Sequence, residues 1–139
     1  MRFFNRINFS LFEKVRSQFN YRDMPFLAEQ IKTLSQSKPY QGLRFYHNVP
    51  LTLTTLIKIE ALLRGGAEVI VSDVSVLKTD PKLLDILKCA GVTVDINKAL
   101  VKECDVYFDC LGELIHYPAP TLGYIELTQT GTDRYKKAK

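Results

Sequence analysis

From residue 42 to residue 127 this chain alternates short β-branched or aromatic runs with longer amphipathic ones, and that alternation limits its fold more than any other feature. "GLRFYH" (42–47), "AEVIVSD" (67–73) and "VTVDI" (92–96) read as buried strands, "DVYFDCLG" (105–112) as a fourth that leaves into a loop, and "TLGYIEL" (121–127) as a fifth. The segments between them carry helix signals. The helix expected over 51–64 stops at Gly65 and Gly66, because a left-handed terminal residue costs little only without a β-carbon. "DPKLLDILKCAG" (80–91) opens on an acid, has proline at the first helical position and closes on glycine, and "NKALVKE" (97–103) reads as a short helix. Ahead of the first strand, 24–36 puts Pro25 in a first turn and Phe26, Leu27, Ile31 and Leu34 along one face. Strands separated by helices are βαβ units, whose strands run parallel. The expected fold is α/β: three layers, a mostly parallel five-stranded sheet with helices on both faces, Rossmann-like or flavodoxin-like.

With 139 residues the chain is expected to form one domain over 1–139, with an N-terminal helix within 1–22 and a basic tail over 133–139. Phe4, Leu11, Val15 and Phe19 lie near one helical face, which favours a docked amphipathic helix over a targeting or membrane-surface segment. The net charge is +4, but Arg134, Lys136, Lys137 and Lys139 against Asp133 supply +3 of it, so the body is nearly neutral. That distribution excludes the basic stripe of a nucleic-acid binder, and no run reaches the ~18 apolar residues of a membrane span. Cys89, Cys104 and Cys110 form no C-x-x-C pair, and with His47 and His116 as the only histidines no metal-ligand cluster is apparent. An odd cysteine count suits a reducing, cytoplasmic setting, with Cys89 and Cys104 as buried thiols.

In an open parallel sheet the ligand crevice lies beyond the carboxyl ends of the strands, which selects residues 47–50, 72–76, 96–98, 109–113 and 127–131. Neither G-x-G-x-x-G nor a P-loop motif follows a strand. Thr52, Thr54 and Thr55 crowd hydroxyls at a helix start, with two readings: a helix cap, or hydrogen-bonding groups for a polar ligand. "ELTQTGT" (126–132) is a second polar cluster, a turn or a ligand contact. Each histidine reads either as an ordinary hydrogen-bonded residue or as a catalytic group without a local signature.

Four segments in order, "MPFL", "NVPLTLTTLIKIEALLRGGAEV", "VYFDCLGEL" and "YIELTQTGTDRYK", resemble the substrate-binding portion of the S-adenosylhomocysteine hydrolase family, over 24–137. The resemblance implies substrate contacts at Thr52, Thr54, Asp109 and Glu126, and contacts to NAD at Thr128, Gln129 and Thr130. It also implies loss of catalysis: Pro50 falls at the family's active-site histidine, Cys110 at its active-site aspartate, and Leu127 at a ribose-binding or adenine-binding glutamate, with Glu126 one place earlier. Proline, cysteine and leucine cannot supply the acid and base groups that the family's oxidation and elimination need. His47 could reach toward the lost histidine's place only across ~10 Å of extended strand. The family's NAD-binding domain has no counterpart here, so no cofactor is expected for this chain alone, and NAD only with a further domain.

Three functions follow as expectations: a degenerate substrate-binding domain that holds an adenosine-like or other small polar ligand without turnover; a noncatalytic protein-interaction module; and part of an active enzyme completed by another subunit or domain. An exposed phenylalanine-rich N-terminal helix would favour a homo-oligomer.

Overall fold

The structure, a computed structural model, describes residues 6–138. Five strands, β1 (Arg44–His47), β2 (Glu68–Val71), β3 (Thr93–Val94), β4 (Val106–Asp109) and β5 (Gly123–Glu126), form one sheet in the order β3-β2-β1-β4-β5, every pair parallel. The chain builds outward from β1 to β3, then crosses back to lay β4 on the other side of β1. The order therefore reverses between β1 and β4, and a crevice opens there at the carboxyl ends.

Alternation along each strand sorts the core into two faces. Phe45, Val69, Val71 and Phe108 pack against α1 (Phe9–Arg16), α2 (Pro25–Ser37), α3 (Leu53–Arg64) and α4 (Pro81–Cys89), which contribute Phe12, Val15, Ile31, Leu56, Ile59 and Leu87. Tyr46, Ile70 and Tyr107 point to the opposite face, under Val101, Cys104 and Leu114. There the ring of Tyr107 meets Tyr124 of β5 at 5.4 Å, and Tyr124 meets Tyr135 of α5 (Gln129–Lys137) at 4.6 Å. So α5 lies on this second face, and the rest of its cover is a 3-10 turn and the segment 110–120.

Local signals explain most boundaries. Thr52 caps α3 by accepting from the Thr55 N–H, and Asp80 caps α4 with Pro81 in its first turn. The turn into β2 needs Gly66, whose φ of +90° is strained for any side chain and where a β-carbon would stand a tight 3.2 Å from the Gln41 backbone. Helix α1 is fastened to α3 through Glu60, wholly buried, whose carboxylate accepts from Arg16 Nε at 2.7 Å and Arg64 Nε at 2.8 Å.

Several expectations are corrected. The expected helix over 97–103 is only a 3-10 turn at Val101–Glu103, because the Asp95 carboxylate captures the N–H groups of Ala99 and Leu100 at 3.1 and 2.8 Å. The expected basic tail is helix α5. Phe26 is 84% exposed, since the buried stripe of α2 runs through Leu27, Ile31 and Leu34. Cys89 is exposed for the same reason, off the stripe of Leu83, Leu87 and Ala90, while Cys104 and Cys110 are buried thiols. The N-terminal helix is shorter than expected and docked: Phe12 is fully buried, and Leu11 and Phe19 pack against the core. Residues 1–5 of that expected helix, Phe4 among them, and Lys139 of the tail lie outside the described residues.

Candidate functional site

The crevice is built from the residues that end β1 and β4. Asn48, the residue after β1, is fully buried and donates through Nδ2 to Asp109 Oδ1 and Glu113 Oε2, both at 3.0 Å. Its amide oxygen has no partner, nor has the buried Ser72 hydroxyl at the end of β2. Burial of an unmet acceptor costs about 1–3 kcal/mol.

Glu113 joins three strand ends. It accepts from the N–H of Ser75 at 2.8 Å, from the Ser75 hydroxyl and from Asn48, and stands 3.7 Å from Lys98 Nζ. Burial pushes its carboxyl up, but these donors, led by the Ser75 hydroxyl, outweigh burial and hold it below the usual range. Lys98, at φ +56° after β3, also donates to the Asp73 carbonyl at 2.8 Å. With Gly112, His116, Tyr117 and Arg134 these residues wall a cleft of about 280 Å³.

The expected substrate residues divide. Asp109 is buried and fully engaged: it accepts from Cys110 N at 2.8 Å, Leu114 N at 2.9 Å, Tyr135 Oη at 2.7 Å and Asn48. It organises the loop that follows β4. Glu126 is likewise occupied, accepting from the N–H groups of Leu111, Gly112 and Thr128 and from the Thr128 hydroxyl. Thr52 and Thr54 remain at the exposed start of α3, on the same edge of the sheet. The Thr52 hydroxyl stands 2.9 Å from those of both Thr54 and Thr55, and Thr55 donates to the Pro50 carbonyl.

Of the residues expected to meet NAD, Thr128 caps α5 and bonds Glu126, Gln129 donates to Asp133 at 2.8 Å, and Thr130 is exposed. Two of those three side chains are thus engaged within the fold, and Thr130 is free at the surface among the described residues. Pro50, Cys110 and Leu127 bring neither a carboxylate nor an imidazole. Cys110 is buried, with its thiol pushed up by burial and then by Glu126; Leu127 is 61% exposed.

His47 faces the helical side of the sheet, fully buried, with neither ring nitrogen bonded among the described residues. Burial, then the charge of Lys58, lower its pKa to about 3, so at neutral pH it is an uncharged core residue turned away from the second face. Residue-by-residue reading passed over Ser75, Lys98 and Arg134, and took His116 only as an ordinary or catalytic histidine. The first two lie within the strand ends that the crevice rule selects; Arg134 was counted with the tail.

Comparison with known proteins adds little. No family model matches the chain, and no curated protein does. Among solved structures it is similar to the NpsA N-terminal subdomain of Klebsiella oxytoca, at 13% identity and TM-score 0.40 over 89% of this chain and 32% of that one. It is similar to NpsA in complex with 3-hydroxyanthranilyl-AMSN at 13% identity and TM-score 0.42, over 89% of this chain and 25% of that one. The chain thus spans about a quarter to a third of those structures' length. Among the described residues no helix is long and apolar enough to cross a membrane, and no group of three or more His, Cys, Asp or Glu is placed to hold a metal.

Proposed function

We propose that this chain is a ligand-binding domain of the S-adenosylhomocysteine hydrolase type, without turnover of its own, that takes an adenosine-like or other small polar ligand at the carboxyl edge of its sheet. The observation that carries the reading is the polar cleft at the carboxyl ends of the strands, beside the point where their order reverses, walled by Ser75, Lys98, Glu113 and Arg134. A nucleoside's hydroxyl and amino groups match the hydroxyl, carboxylate and cationic groups of such a wall. The hydroxyl cluster of Thr52, Thr54 and Thr55 offers a second contact on the same edge. Catalysis is left out because Pro50, Cys110 and Leu127 present neither acid nor base, and NAD because Thr128 and Gln129 are engaged within the fold.

Calorimetric titration with adenosine, S-adenosylhomocysteine and NAD, each alone, tests the reading. A nucleoside binds and NAD does not, and Thr52→Val weakens the nucleoside by about a hydrogen bond, ~1 kcal/mol or more. Silence from adenosine and S-adenosylhomocysteine overturns it.

One observation favours a second reading, a protein-interaction module. β5 is an edge strand on which Ile125 is 52% exposed, with Leu122 and Leu127 beside it at 63% and 61%. An uncovered apolar edge is a template for pairing. Under that reading sedimentation velocity shows concentration-dependent association that Ile125→Lys abolishes; a monomer at every concentration counts against it.

A further inference from the structure

The cleft holds more positive charge than its own carboxylates satisfy. Every acid near it is already engaged: Glu113 by Ser75, Asn48 and Lys98; Asp109 by four donors; Asp73 by Thr79. The cations are engaged less fully. Arg134 uses one nitrogen, Nη1, on the Leu111 carbonyl at 2.7 Å and leaves the rest of its fork free. Lys98 uses Nζ on the Asp73 carbonyl and leans on Glu113 from 3.7 Å. His116 is exposed on the rim, and Glu113 is the lone acid among the lining residues.

We propose that this cleft binds a phosphoryl group of its ligand, held between Arg134 and Lys98 with Ser75 and His116 around it, so that the preferred ligand is a nucleoside monophosphate rather than a free nucleoside. The inference rests on the reading of the crevice as a nucleoside site and names the group that reading leaves open. A phosphate monoester supplies three acceptor oxygens, matching a guanidinium fork on one wall and an ammonium on the other. Asn48, fully buried behind Glu113, donates to that carboxylate at 3.0 Å and holds it in the cleft wall.

The test is calorimetry on the full chain with AMP, adenosine and inorganic phosphate, at 50 and 300 mM salt. AMP is expected to bind at least about tenfold more tightly than adenosine, the gain of one charge-assisted contact. That advantage shrinks with salt, disappears in Arg134→Gln and in Lys98→Met, and phosphate displaces AMP without displacing adenosine. Arg134 is exposed, so its variant keeps the test valid if Lys98→Met fails to fold. Equal binding of AMP and adenosine overturns the phosphoryl site and leaves the nucleoside reading standing. AMP and phosphate binding without adenosine overturns the nucleoside reading and keeps the phosphoryl site; silence from all three overturns both.

Discussion

His47 sits in the core with both ring nitrogens unbonded, packed 5.8 Å from the Phe108 ring while Lys58 of α3 holds its ammonium 4.3 Å over the same ring. Burial and then the lysine lower the histidine to about 3, from 6.5. Between those values the unfolded chain binds a proton that the folded chain refuses. Stability contributed by the neutral ring is therefore present above about pH 6.5 and lost as pH falls toward 3, with a slope approaching ~1.4 kcal/mol per unit. Urea unfolding of His47→Leu at pH 7, 5.5 and 4.5 should show a flatter acid limb than the unsubstituted chain, and parallel limbs would refute the assignment. In the sequence this histidine could be read only as ordinary or catalytic, because nothing local says that a strand residue faces helices. At Glu126 the polar cluster was visible, but only the Thr128 donors are local; the other two come from Leu111 and Gly112, outside that cluster.

Elements with apolar periodicity were legible: α3 and α4 appear with the caps their sequences announce. Elements made by side-chain capture were not. The segment 97–103 has helical composition, yet Asp95 diverts its first N–H groups. α5 lacks an apolar stripe, so it reads as a charged tail, and it forms because Thr128 caps it while Gly131 lets the Glu126 carboxylate sit against its first turn. A β-carbon at Gly131 would overlap that carboxylate. Replacing a helical glycine by alanine gains up to ~1 kcal/mol, less in a first turn, but here overpacking of about 1–3 kcal/mol outweighs the gain. Gly131→Ala should thus lower the thermal midpoint in the unsubstituted chain and raise it in a Glu126→Ala background. Destabilisation of the same size in both backgrounds would show that the carboxylate is not the obstacle.

Across the whole molecule the two faces of the sheet are unequally built. One carries four helices, the large apolar cluster and the buried Glu60 pair with Arg16 and Arg64; the other carries α5, a turn and a coil over a small cluster. Toward β5 the cover thins on the helical side as well, leaving Ile125 and Leu127 exposed. Local opening follows such differences, since a segment with little buried apolar area separates at lower free energy than the global transition. The proposed cleft straddles the division, with Ser75 and Lys98 on strand ends of the firm half and Gly112, Glu113 and Arg134 on the thin half. A ligand there would tie the second half to the first and slow its opening by mass action. Hydrogen exchange checks both steps. In the free chain the amides of Tyr46, Ile70 and Leu63 should exchange only through global unfolding, and those of Ile125, Gly131 and Arg134 sooner. Saturating AMP should slow the second group and leave the first unchanged relative to global stability. Uniform protection in the free chain would mean that one cooperative unit spans the sheet, and that a ligand in the cleft has no looser half to close.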